Sequence, residues 1–256
     1  MFRPPAKLQA LGLAQLLSAA GDRLHYLALV ALVTARAATL GVDAAPALLT
    51  LAVVMLLPTL LFAPLAGPIV DRLSLVAVLV VTDALRGITV LFMPAAYDRA
   101  GVDLLFVAVF LLFTLNVFFL PARAAIPPRI VHRDQLLAAN AFLALIIVIA
   151  TIGATAIGGW AVDHLGWRNA LYVDGITYLI SALLLISLRG SAPPRTTRRR
   201  AGWRVYWAEV LSGFQLLARS TPARRSVTAW LGLWIGAGVL HVAGTIHIQN
   251  SPGQMK

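Results

Sequence analysis

Residues 46–69 read PALLTLAVVMLLPTLLFAPLAGPI, a run of 24 residues without one charged side chain. An α-helix of about 20 mostly apolar residues is long enough to cross the hydrocarbon core of a bilayer. Six other stretches also qualify, and the full set is 10–36, 46–69, 74–96, 102–121, 136–161, 169–188 and 226–248. The chain is therefore predicted to be an all-α membrane protein.

The composition agrees with this prediction. The 256 residues are 60% hydrophobic and only 12% charged, which leaves too little polar surface to cover a soluble globule. The formal net charge is +11, yet most basic residues lie between the apolar runs, so it indicates membrane topology rather than a nucleic-acid partner. Without cysteine there is no disulfide, no Cys-ligated zinc and no thiol nucleophile.

The distribution of lysine and arginine predicts the orientation. If the N-terminus is cytoplasmic, 15 basic residues fall in the inner segments and 4 in the outer ones. Short loops rich in Lys and Arg resist translocation, so this asymmetry favours a cytoplasmic N-terminus in a cell (inner) membrane. Seven crossings then place the C-terminus outside.

The predicted spans also define a domain plan. Residues 1–188 form an N-terminal six-helix transmembrane bundle, and 189–225 form a cytoplasmic basic linker with an amphipathic helix around 206–217. Residues 226–248 form a seventh transmembrane helix, followed by a tail at 249–256.

Several ionisable residues fall inside the predicted spans, where each costs at least about 2.5–3.5 kcal/mol to insert. They are Asp22, Arg23, Asp83, Arg86 and Asp174. One interpretation is a polar cavity in which an acidic side chain carries a proton or contacts a cationic substrate. The other is that Arg86 is neutralised by Asp83 or by Asp22, and that the ion pair only fixes helix packing. The sequence leaves both open.

Small residues and helix ends give two further expectations. Gly153, Gly158 and Gly159 lie on a small-residue face of the fifth span that allows another helix to approach closely. After the second span, Asp71 is expected to cap the helix that follows and to contact its positive end.

Five local patterns, in order along the chain, resemble the major facilitator superfamily, in the branch of the enterobactin exporter and related drug and macrolide efflux proteins. They are the Ser-x-x-Gly-Asp of residues 18–22, GPIVDR at 67–72, DALR at 83–86, FFLPARAAIPPRIV at 118–131, and LLAANAF at 136–142 with LYVDGITYLISALLL at 171–185.

The resemblance implies two six-helix halves around a central cavity, alternating access and proton-driven antiport that exports a substrate. It also implies a cytoplasmic conformational latch formed by Gly67, Asp71 and Arg72 of the loop motif and by Arg123 of the fourth span. The family's second half has no counterpart after the seventh span, so the transporter is expected to be truncated.

Three hypotheses for function remain open. The first is an incomplete transporter whose parent activity is proton-coupled efflux of a small amphipathic molecule of drug, macrolide or siderophore type. The second is a half-transporter that is active only as a dimer or with a separate second half. The third is an intramembrane enzyme, which lacks support because the chain contains neither H-E-x-x-H nor G-x-S-x-G. The expected partners are the lipid bilayer, a small-molecule substrate, a proton and a second transporter half, with no nucleic acid, metal or cofactor.

Overall fold

The computed structural model describes residues 3–190 and, further along, residues 211, 212, 215, 218–233 and 236. The chain divides into two compact units, Met1–Arg199 and Arg200–Lys256. In the first unit the described residues form five α-helices and one 3₁₀ turn: α1 Ala6–Leu40, α2 Ala45–Val70, α3 Leu75–Ala124, α4 Pro127–Ile130, the turn Arg133–Gln135, and α5 Leu136–Ile186.

Two of these helices are long enough to cross a bilayer twice, because glycine interrupts each one near its middle. In α3, of 50 residues, Ala100 leaves the helical region and Gly101 has φ 66°. In α5, of 51 residues, Gly166 has φ 76° and ψ 158°. A positive φ is readily adopted only by glycine, so each glycine permits a sharp bend between two arms. The arms are 75–99 and 102–124 in α3, and 136–165 and 167–186 in α5.

α1, α2, α3 and α5 are long and apolar enough to span a membrane. With the two bends, they supply six crossing segments within residues 6–186, at the positions of the first six predicted spans. The surface of the bundle is strongly apolar: on α2, Leu49, Leu56, Leu60 and Leu61 are all exposed. The predicted fold class, an all-α membrane protein, is confirmed.

The buried core of the bundle consists of two apolar layers, one near each end. One layer includes Leu8, Leu79 and Phe119. The other includes Leu29, Met93 and Leu171. On α1 and on the first arm of α3, the buried polar residues lie between the residues of these two layers. On α5, Ser181 lies between the layers, whereas Asp174 lies within the second layer, between Leu171 and Tyr178. Most of the polar groups are thus placed near the middle depth of the bundle, where the bilayer offers them the least solvation.

The connection after α2 differs from the expectation. Asp71 ends α2 as its C-cap, and its backbone N–H donates to Gly67 O at 2.9 Å. The residue that caps α3 is Ser74, whose hydroxyl accepts from the backbone N–H of Ala77 at 3.5 Å. The prediction that Asp71 caps the following helix was wrong, because three residues separate Asp71 from the first turn of α3.

In the second unit, residues 221–233 are helical. Ser220 begins this helix, since its hydroxyl accepts from the backbone N–H of Ala223 at 3.3 Å. The helix starts five residues before the predicted seventh span of 226–248, and most of that span after 233 lies outside the described residues. Most of the predicted basic linker and amphipathic stretch also lies outside them, and the domain plan remains a prediction.

Candidate functional site: a polar cluster at the centre of the bundle

Eight polar side chains from α1, α3 and α5 meet at the boundary of the two apolar layers, and we call them the central polar cluster. Its members are Ser18, Asp22, His25, Asp83, Arg86, Asp174, Tyr178 and Ser181. Within each helix they are spaced three or four residues apart, which places them on one helical face. Three such faces directed at one another form the site.

Arg86 occupies the middle of the cluster. Its Nη2 donates to Asp22 Oδ1 at 2.7 Å and to the Tyr178 hydroxyl at 2.8 Å. Its Nη1 donates to Asp83 Oδ1 at 3.0 Å and lies 3.4 Å from the Ser18 hydroxyl. The residue is only 2% exposed. The two ion pairs that the sequence left as alternatives therefore exist together, and they join α1 to α3 through one guanidinium.

Two hydroxyls from α5 complete the contacts of the carboxylates. Tyr178 donates its hydroxyl proton to Asp22, and Ser181 Oγ donates to Asp83 Oδ2 at 2.6 Å. The guanidinium carbon of Arg86 also lies 4.2 Å from the centroid of the Tyr178 ring, a cation–π distance. Tyr178 therefore stabilises both members of the Asp22–Arg86 pair.

A second pair lies beside this arginine. His25 Nδ1 is 2.9 Å from Asp174 Oδ2, and the ring of His25 meets Phe113 edge-on at 6.1 Å. Both members are buried, at 2% exposure for His25 and 0% for Asp174. By contrast, 40% of the Asp22 side chain is exposed, so among the three carboxylates of the cluster it is the accessible one.

Glycines allow the three helices to come this close. A Cβ on Gly21 would overlap Asp174 Oδ1 and lie 2.5 Å from Thr177 Oγ1. A Cβ on Gly87 would lie 2.9 Å from the carbonyl oxygen of Gly175. A Cβ on Gly175 would likewise lie 3.1 Å from the carbonyl oxygen of Gly87. Any side chain at these positions would separate α1 from α5 or α3 from α5.

Four of the five predicted cavity residues thus come together: Asp22, Asp83, Arg86 and Asp174. Arg23 is exposed on another face of α1. Sequence reasoning missed His25 as a partner of Asp174. It also missed Tyr178 and Ser181, although their spacing from Asp174 places all three on one face of α5. Gly87 and Gly175 were missed too, because one isolated glycine in an apolar run carries no signal of which helix it faces.

The predicted latch residues lie near one end of the bundle. Asp71 and Arg72 are exposed at the end of α2, and Arg123 is half-buried in the last turn of α3. The Arg123 guanidinium lies 6.0 Å from the Phe119 ring and within electrostatic reach of Asp22 and Asp83. This places Arg123 close to the central polar cluster. The latch itself remains a prediction.

The predicted packing glycines differ from one another. A Cβ on Gly158 would lie 2.9 Å from Leu27 Cδ1, so this glycine admits α1. At Gly153 and Gly159 a Cβ would meet no atom of the described residues within 4 Å. Close packing is therefore observed at Gly158, and it stays a prediction at the other two.

A separate ion pair joins the bends of α3 and α5. Arg168 donates to both carboxylate oxygens of Asp98, with Nη1 2.7 Å from Oδ2. Its hydrogen bonds hold the pKa of Asp98 below the ordinary value. The neighbouring rings of Tyr97 and Trp167 meet edge-on at 5.3 Å, and Arg36 Nη1 lies 3.4 Å from the Tyr97 hydroxyl. We call this group the bend clasp.

In the part of the chain that the structure describes, no group of three His, Cys, Asp or Glu side chains could hold a metal ion. The side chains of the cluster can form ion pairs and can bind or release protons at the centre of a helical bundle. This is the arrangement of a polytopic membrane protein with an internal charged site.

The family follows from comparison with known proteins. Residues 11–252 match the model of the Major Facilitator Superfamily, and the chain belongs to that family. The family and the names of the relatives point to a transporter rather than an enzyme.

Three relatives match parts of the chain. The proposed bacilysin exporter BacE of Bacillus subtilis (strain 168) is 30% identical over 134 residues, which cover 51% of this chain and 32% of that protein. The protein of the same name from Bacillus amyloliquefaciens is 32% identical over 137 residues, covering 51% and 33%. An uncharacterised MFS-type transporter, YkuC of Bacillus subtilis (strain 168), is 26% identical over 161 residues, covering 62% and 37%. The matched part thus spans about a third of each relative.

Proposed function

We propose that this chain provides the first helical bundle of a proton-coupled exporter of small amphipathic molecules, in or near the branch of the enterobactin and macrolide exporters. Two of the relatives described above are named as exporters, which supports the direction of transport. The observation that carries the proposal is the partly exposed Asp22 carboxylate, which is joined to a buried arginine at the middle depth of the bundle.

Asp22 is suited to couple protonation to a change of structure. As a carboxylate it shares Arg86 with Asp83, so two buried or half-buried anions compete for one cation. Protonation of Asp22 removes its attraction for Arg86 and leaves the guanidinium paired with Asp83 alone. The contact between α1 and α3 then weakens while the contact inside α3 remains, which is a change that a rocking movement of helices can use.

The remaining parts of the proposal concern the surroundings of the bundle. Gly67, Asp71, Arg72 and Arg123 would form the cytoplasmic latch, with the N-terminus on the cytoplasmic side of the inner membrane. A second transporter half would supply the other wall of the cavity. A second copy of this chain is the alternative source of that wall.

The test is transport in proteoliposomes with an imposed pH gradient. The chain would be reconstituted alone and together with any protein translated from the DNA downstream of the Lys256 codon, with ethidium and erythromycin as probes. We expect gradient-driven transport that Asp22→Asn abolishes and Asp163→Asn preserves, since Asp163 is exposed and outside the central polar cluster.

Two outcomes would count against the proposal, one against proton coupling by Asp22 and the other against the assignment as an exporter. Equal gradient-driven rates in the wild type and in Asp22→Asn would remove the proton-coupling role of Asp22. An absence of transport of either probe from every wild-type preparation, with insertion verified, would contradict the assignment as an exporter of this substrate class.

A further inference from the structure

The His25–Asp174 pair is unlike the other ion pairs of the central polar cluster. Its two members come from α1 and α5 and lie 149 residues apart in the chain, yet they meet at 2.9 Å with almost no exposure. The ion pairs of Arg86 are with Asp22 and Asp83. Histidine is thus the cationic partner of Asp174, and it is a cation only when it binds a proton.

The charges of the cluster make that proton important. Within the cluster three carboxylic acids face one permanent cation, Arg86, and Arg123 lies outside it, within electrostatic reach of Asp22 and Asp83. Asp174 has no arginine as hydrogen-bond partner among the described residues, so a proton on His25 supplies the positive charge beside it. An uncompensated charge in a low-dielectric interior is costly, so the proton content of this pair strongly affects the energy of the α1–α5 contact.

Asp22 and Tyr178 connect the pair to the accessible side of the bundle. The Tyr178 hydroxyl donates to Asp22, and the centroid of its ring is 6.5 Å from that of His25. The Asp174 side chain also contacts the backbone of α1 at Gly21, the residue before Asp22. Tyr178 is therefore the side chain that lies between Asp22, where a proton can arrive, and the buried pair.

We propose that His25 and Asp174 form a proton-binding site that is filled through Asp22. In the empty state a neutral imidazole donates its Nδ1–H to the Asp174 carboxylate, which fixes the tautomer. An incoming proton from water binds at Nε2 and converts the pair to imidazolium and carboxylate, without breaking any bond of the chain. The charged groups near the site are Asp22 on α1 and Asp83, Arg86 and Arg123 on α3, and the titratable but neutral Tyr178 approaches it from α5.

Proton binding by the pair requires neither substrate nor a second half, whereas its use in transport rests on the proposed function. The site can therefore be tested on the 256-residue chain in detergent micelles or nanodiscs. Imidazole ¹⁵N NMR with labelled histidine would follow the tautomer and the protonation of His25, and His25→Gln would assign its resonances while keeping a hydrogen-bond donor next to Asp174.

We expect one titration step at His25, from the Nδ1–H tautomer to the imidazolium. In Asp174→Asn the midpoint should fall by about 1–3 pH units, because the imidazolium loses its carboxylate. Asp163→Asn is the matched control: it changes an exposed acid on the same helix and should leave the His25 midpoint unchanged. Asp22→Asn should lower the midpoint by less than Asp174→Asn does.

The inference is overturned if His25 keeps one protonation state while the exposed His132 and His164 titrate, or if Asp174→Asn leaves its midpoint unchanged. Should Asp174→Asn fail to insert, ¹³C-labelled aspartate in the wild-type chain gives a second measurement. One aspartate carboxylate must then shift with the His25 midpoint and lose that shift in His25→Gln, and no such co-titration would also overturn the inference. Transport with a non-titrating His25 contradicts this site alone, and a titrating pair without transport contradicts the exporter alone.

Discussion

Arg86 illustrates, at the scale of one residue, why one partner of a buried ion pair is hard to remove without the other. Its guanidinium donates to side chains of all three core helices, through Asp22 on α1, Asp83 on α3 and Tyr178 on α5. Its Nε, like the Oε1 of Gln15, has no hydrogen-bond partner among the described residues. Arg86 therefore pairs with two carboxylates while one of its own N–H groups has no partner among the described residues, as expected where an unpaired charge costs more than an unpaired polar atom.

Loss of Arg86 alone should destabilise the bundle strongly. Arg86→Met leaves Asp22 and Asp83 facing each other without a cation, and breaking a buried pair in this way costs about 3–5 kcal/mol. We expect a clear fall in Tm in detergent, and a partial recovery in the triple variant Asp22→Asn, Asp83→Asn, Arg86→Met. Arg168→Met, the same change in the exposed bend clasp, is the control and should lower Tm less. Equal losses for the two single variants would refute this account of the cluster.

At the scale of the helices, glycine decides which pairs can touch. α3 and α5 approach through Gly87 and Gly175, whose backbones are in contact, and α1 reaches α5 through Gly21. These contacts set the distance across which Arg86 and His25 find their partners. The helix register and the charged cluster therefore depend on each other.

Adding one methyl group at the α3–α5 contact should lower the stability of the bundle. Gly87→Ala places a Cβ 2.9 Å from a backbone oxygen that cannot move freely, and such overpacking costs about 1–3 kcal/mol. Gly153→Ala is the matched control, because no described atom lies within 4 Å of its Cβ and alanine favours the helix. We expect a lower Tm for the first variant and an unchanged or higher Tm for the second. The reverse order would show that α3 and α5 are not in backbone contact.

The bend clasp makes a pH-dependent prediction at the bends, beyond the ends of the predicted spans 74–96 and 169–188. Arg168 lowers the pKa of Asp98 below its ordinary value of 3.8 through hydrogen bonds. A lowered pKa in the folded state adds stability above the unfolded pKa, and this stability is lost as the pH falls through the folded value. The Tm difference between wild type and Arg168→Met should thus be constant near neutral pH and shrink below about pH 4. A difference that persists at lower pH would mean that the stacking of Arg168 on Trp167, and not the ion pair, stabilises the bends.

The sequence predicted the helices well and their contacts only in part. Apolar length located the segments, and the ion pair of Arg86 with Asp83 that the sequence offered is present in the structure. The pairing of His25 with Asp174 could not be predicted, because spacing within a helix says nothing about the register between α1 and α5. The cap of α3 was also missed, since Ser74 and Asp71 are both acceptable capping residues and only the end of α2 distinguishes them.

At the scale of the molecule, the first unit has an apolar exterior around a charged centre in its described residues 3–190. This inverts the arrangement of a soluble domain, and it places the charged cluster at the depth where the bilayer solvates charge least. The matched relatives are about three times the length of the matched segment, so a cavity lined from two sides is part of the proposal. In the proposed mechanism, the side of the membrane that each end of the bundle faces determines from which side Asp22 would receive a proton.

The chain itself offers a direct test of that orientation. It has no cysteine, so a single introduced cysteine reports without background. Val42 in the turn after α1 and His132 in the turn before α5 are both exposed and lie on predicted opposite sides. We expect a membrane-impermeant maleimide to label Val42→Cys in intact spheroplasts, and to label His132→Cys only after permeabilisation, since the excess of loop arginine near residue 132 retains that end inside. Labelling in the opposite pattern would invert the topology and would require the proton path to Asp22 to open from the other side.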